Sequence, residues 1–130
     1  MAKEMVIVWL TGIEYAGEEV GSNTQFSISV NGHEPISIST DVKLQTTRLF
    51  QKPVFMQLLD SGKEEISVIA TVIEEDLAVD DRGQSAINHK LQPVSGRQSL
   101  PVVTVNVTEN RGLLGKGKTA TFRLHFEAER

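Results

Sequence analysis

Apolar and polar residues alternate with a period of two along most of this chain, and no stretch sustains the 3.6-residue period of a helix. Phe26, Ile28 and Val30 alternate with Gln25, Ser27 and Ser29. Asn31-Gly32 follows, a dipeptide that accepts positive φ and closes tight hairpins, and Ile36 and Ile38 carry the return strand. Val103, Val105 and Val107 repeat the pattern, as do Ala120, Phe122, Leu124 and Phe126. Each of these strands buries one face and wets the other, as antiparallel sheets permit.

Met5 to Ile13 and Glu65 to Ile73 are apolar on both faces, which predicts central strands covered by neighbours. Val54 to Leu59, opening after Pro53, predicts a shorter strand, and Gln84 to Leu91 another whose core residues are Ala86 and Ile87. Asp41 to Lys52 has no clear period and reads as an extra strand, a crossover or a helical turn. About eight strands punctuated by Gly, Asn, Asp and Pro predict an all-β, antiparallel, eight-stranded β-sandwich, with a jelly roll or small barrel as the nearest competitor.

The length of 130 residues suits a single domain over 1–130 with its own core. Without cysteine there is neither a disulfide nor a thiolate metal site, in keeping with a cytoplasmic address. The apolar run near the start is too short for a signal peptide and none is long enough to span a bilayer. A net charge of -4 argues against nonspecific nucleic-acid binding, which needs a positive face. Lys43, Arg48 and Lys52 form only a sparse positive stripe, diluted by Asp41.

Gly112 to Thr119 fits the phosphate-binding loop letter by letter. That loop needs a helix after it, whose N-terminal N–H groups face the phosphates. Thr119 to Glu127 instead alternates as a strand, so a Gly/Lys connection is predicted and nucleotide is not a partner. His33, His89 and His125 are far apart, no nucleophile-elbow context appears, and the chain shows no catalytic constellation.

The acidic residues are distributed unevenly. Glu74, Glu75, Asp76, Asp80 and Asp81 crowd one connection around Leu77, Ala78 and Val79, and Glu14, Glu18 and Glu19 lie in an earlier one. Together these hold eight of the seventeen acidic residues. Such density is either solvated or shares a cation, and oxygens converging from two loops are what calcium requires.

These loops resemble those of the C-two domain family, a calcium- and phospholipid-binding module. Gly21-Ser22-Asn23-Thr24-Gln25-Phe26 is similar to the family's Gly-x-Ser-Asp-Pro-Tyr entry, and Glu74, Asp76, Asp80, Asp81 and Gly83 are similar to its later acidic loop. Asn23 and Glu74 stand where the family has aspartates, Thr24 replaces its proline, and its central Asn-Pro-x-Trp-Asn-Glu signature is absent. The resemblance implies a non-enzymatic recruitment module, peripheral to membranes, that binds an anionic membrane surface or a protein partner. It implies calcium as the one cofactor, held by Glu18, Glu19, Asn23, Glu74, Asp76, Asp80 and Asp81, with Leu77 and Val79 at the membrane tip. Many family members have lost calcium, and a self-associating structural sandwich is the alternative; the two-faced first strand with Trp9 suits burial or an interface.

Overall fold

A computed structural model describes residues 3–18, 20, 24–60, 64–75, 81–110 and 116–130. Nine strands and no helix occur among them: β1 (Lys3–Gly17), β2 (Thr24–Val30), β3 (Ile36–Ser39), β4 (Thr46–Asp60), β5 (Glu65–Glu74), β6 (Asp81–Lys90), β7 (Arg97–Ser99), β8 (Val103–Asn110) and β9 (Lys116–Glu129). One sheet runs β4-β1-β9, with β7 and β8 in line on the far edge of β9; the other runs β3-β2-β5-β6. Every pairing is antiparallel. β7 and β8 are one edge interrupted at Pro101, which has no N–H to donate, while Leu100 N still donates to Phe126 O at 3.0 Å.

The β2–β3 hairpin forms where Asn31-Gly32 predicts it. Both residues have positive φ (51° and 75°), and His33 N donates to Val30 O at 3.0 Å. Asn31 Oδ1 also accepts the Ser67 N–H at 2.8 Å, which fixes the turn against β5.

The core lies between the sheets. Phe122 on β9 stacks on Tyr15 of β1 (centroids 4.5 Å) and takes the edge of Phe26 on β2 (5.6 Å), so three rings join the two layers at one level. Phe26 and Phe122 are fully buried, each contributing about 3 kcal/mol by transfer from water. The sandwich is closed on one side, where Gly83 of β6 lies against Val105 and Asn106 of β8. On the other side the edges of β3 and β4 stand apart, leaving a hollow of about 400 Å³ lined by His33, Ile36 and Pro53 to Gln57.

Three expectations change. Of the segment with no clear period, Thr46 to Lys52 joins the short strand after Pro53 in one 15-residue edge strand, β4, while Asp41 to Gln45 precede it outside any strand. β1 reaches from Lys3 to Gly17, with register shifts at Val8/Trp9 and Leu10/Gly12. On β6 the inner positions are Asp81, Gly83, Ser85, Ile87 and His89, so Ala86 is exposed and contributes nothing to the core. β9 occupies Gly117, Lys118 and Thr119, so a strand stands where a phosphate-binding loop needs its helix.

Candidate functional site

Both acidic connections spring from the same end of the sandwich. β1 leaves its sheet at Gly17, whose φ of +79° turns the chain out beside Ala120. The next strand, β2, belongs to the other sheet and begins at Thr24, which pairs with Glu74, the last residue of β5. Glu74 in turn pairs with Asp81, the first residue of β6, so the strand ends that the connection 75–80 joins lie at that same point. Val20 N donates to the Tyr15 hydroxyl oxygen at 2.9 Å, which closes the core beneath the crossing chain.

Three of the predicted ligands lie among the described residues, and they divide. Glu74 and Asp81 face inward, directly opposite one another, and are each only 3 % exposed. Two carboxylates this deep and this close are costly unless polar contacts offset their lost hydration, and both residues are partnered. Glu18 does something else. Its N–H donates to Thr119 O at 3.0 Å and its Oε1 accepts the Thr119 N–H at 3.2 Å, so it clamps the end of β1 to the start of β9. Glu19, Asn23, Asp76 and Asp80, with the tip residues Leu77 and Val79, lie outside the described residues.

Calcium takes six to eight oxygens at once. Among the described residues no three His, Asp or Glu side chains gather as a metal requires. Glu74 and Asp81 thus lie opposite one another beneath the two connections, while Glu18 is held by Thr119.

The outer face of the β4-β1-β9 sheet carries features that periodicity did not reveal. Met5 of β1 opposes Leu58 of β4 and Ile7 opposes Met56; Met5, Leu58 and Met56 are exposed. Trp9 is half-buried. Its Nε1 donates to Glu129 Oε1 at 2.9 Å, and Arg97 lies over the ring at 4.3 Å. Arg97 also approaches Glu127 and Glu129 and donates to Gln51 Oε1 at 2.8 Å, so one side chain spans the sheet from β7 to β4. Beyond it, an open groove of about 880 Å³ has Thr11, Gly12 and His125 on its floor and Leu49 and Phe50 on its wall. The apolar outward positions of β1 were the available signal for this face. The sparse positive stripe is partly used locally, since Arg48 donates to Asp41 O at 3.1 Å and lies near the Phe50 ring.

No family model matches the chain, and no curated protein matches it in sequence. Solved structures do match in shape. A structure described as "Structure of a C2 domain" superposes with a TM-score of 0.51 at 10% identity, covering 94% of this chain and 99% of that one. Another, described as "CC2D1B coordinates ESRCT-III activity during the mitotic reformation of the nuclear envelope", gives 0.50 at 12% identity, covering 99% of this chain and 55% of that one. The class is therefore an all-β, antiparallel sandwich with a C-two-like fold.

Proposed function

We propose that this chain is a non-enzymatic recruitment module that engages an anionic membrane surface through the end bearing the two acidic connections. The observation that carries this reading is the inward-facing pair Glu74 and Asp81, set where 18–23 and 75–80 both emerge. Glu19 and Asn23 from one connection and Asp76 and Asp80 from the other would complete a calcium site around that pair. Without the cation, this end repels anionic lipid. Calcium, when bound, supplies positive charge and open positions for lipid phosphate. The chain's own residues set the geometry: Glu18 clamps β1 to β9 and Thr24 aligns the two strand ends, and Leu77 and Val79, between the acidic groups in sequence, would supply the apolar tip. The reading makes the protein peripheral to the cytoplasmic face of a membrane.

A calcium titration of the melting temperature tests it. At a hundred times its Kd, calcium adds about 2.7 kcal/mol, or roughly 10 °C for a chain of this length. Asp76→Asn/Asp81→Asn removes the shift, and sedimentation with phosphatidylserine vesicles becomes calcium-dependent in the parent chain only. No shift in the parent chain refutes the calcium step. Calcium-independent sedimentation keeps the membrane reading without it, and indifference to vesicles under all conditions replaces the membrane with a protein partner.

A further inference from the structure

We infer that β4 is an assembly edge, and that its occupant is the β4 strand of a second copy of this chain, paired antiparallel about a two-fold axis at Gln57. Among the described residues β4 pairs with β1 alone, which leaves a row of N–H and C=O groups on its other side. Edge strands ordinarily carry devices that discourage pairing: proline, bulges and lysine. On β4 these are confined to the first part. Arg48, Lys52 and Pro53 stand there, and the shifts opposite Val8/Trp9 and Leu10/Gly12 both fall before Phe55. From Phe55 to Asp60 the register against β1 is uninterrupted, and no proline or basic residue guards the edge.

That segment is self-complementary. A two-fold at Gln57 sets Met56 beside the second copy's Leu58, Phe55 beside its Leu59, and Gln57 beside its own counterpart. Met56 is 53 % and Leu58 56 % exposed, and both lie on the outer face next to Ile7 and Met5. Pairing therefore joins two apolar stripes into one. It also carries the second copy's Leu59 toward the hollow between β3 and β4, where His33, Ile36 and Phe55 are the walls. The sole charge in the segment, Asp60, lies three residues from the axis, so the two copies' carboxylates end far apart. A symmetric contact of this kind closes on itself and stops at two chains. It is independent of the acidic end, because β4 takes no part in the Thr24–Glu74–Asp81 pairing.

The chain contains no cysteine, so a single introduced one can cross-link only between copies. Directly opposed residues of antiparallel strands lie about 4.5–5.5 Å apart, within disulfide reach. Gln57→Cys is expected to oxidise to a dimer about a hundredfold faster than Leu49→Cys at micromolar protein, because docked thiols meet at millimolar effective concentration. Light scattering on the parent chain should show a mass rising with concentration from 14.3 kDa toward twice that value. Met56→Lys/Leu58→Lys sets like charges opposite each other and should weaken the dimer about tenfold, whereas Met56→Lys/Leu58→Glu should restore it. Asp76→Asn/Asp81→Asn should leave the dimer intact, which separates this inference from the calcium reading. A constant monomer mass, equal oxidation of the two cysteine variants, or equal behaviour of the two charge variants overturns the proposal. So does loss of vesicle binding in a monomeric Met56→Lys/Leu58→Lys, which would assign the stripe to lipid.

Discussion

Gly83 gives the sharpest test of how the sandwich closes. It sits on the inner face of β6, where a Cβ would come within 3.0 Å of both Val105 Cγ1 and the Asn106 carbonyl carbon, and closer still to the Asn106 oxygen. Backbone at that distance cannot swing aside as a flexible side chain could. Nor can β8 retreat alone, because Val105 and Asn106 pair with Phe122 and Thr121 of β9, and Asn106 Oδ1 accepts the Thr121 hydroxyl at 2.9 Å. Gly83→Ala therefore forces β6 away from β8, an overpacking cost at the upper end of about 1–3 kcal/mol. Alanine's smaller unfolded-state entropy offsets about 0.4–1 kcal/mol of it, leaving a loss of roughly 2 kcal/mol. With an unfolding entropy of about 2.1 cal/mol/K per residue, that lowers Tm by roughly 7 °C. Gly12→Ala is the matched control: it too lies in a strand, but its Cβ would meet nothing nearer than 3.6 Å. It should leave Tm unchanged or raise it slightly. Thermal unfolding of both variants by circular dichroism decides the matter, and a Gly83→Ala protein melting within about 2 °C of the parent would refute the closure argument.

Two further predictions concern single groups. Arg130 donates to both Glu4 oxygens, Nε to Oε1 at 2.9 Å and Nη2 to Oε2 at 2.8 Å, and these hydrogen bonds hold the Glu4 carboxyl below its ordinary 4.5 against a partial desolvation. The unfolded chain therefore protonates first as pH falls, so the pair's contribution is whole above 4.5 and vanishes as pH drops through the depressed folded value. The Tm difference between the parent and Glu4→Gln should shrink over that window, and a gap constant with pH would contradict it. His89 Nε2 is buried and has no hydrogen-bond partner among the described residues, so His89→Leu removes an unsatisfied nitrogen and should raise stability by about 1 kcal/mol. A loss of that size in urea unfolding would show that the nitrogen has a partner.

Legibility in the sequence followed burial. β2, β3, β8 and β9 were readable because a dry face imposes apolar residues at every second position, and β5 because Ile69 and Ile73 on its half-buried outer face add to the buried row. β4 was not. It lies at an edge with most of its side chains in water, so nothing forces a period, and Pro53 is tolerated mid-strand at a bulge. β6 misled for the opposite reason: β8 approaches closely at Gly83, every inner position except Ile87 is small or polar, and the apparent apolar pair Ala86-Ile87 straddles both faces. Of the site, a common end for the two acidic connections was only the condition for a shared cation, and it is the strand order of the structure that meets it. That Glu18 is a clamp was not legible, because its partner Thr119 lies 101 residues away in sequence. The Arg97 span over Trp9 was hidden likewise, joining β7 to β1 and β4 across β9.

β1 and β9 each traverse the whole length of the sandwich, and Lys3 and Glu129 finish at the pole opposite Gly17 and Lys116. At about 3.3 Å per residue the fifteen residues of β1 make a strut of roughly 45 to 50 Å. The acidic connections at one pole thus stand that far from the paired ends of β1 and β9 at the other, where Arg130 and Glu4 rivet the two strands together.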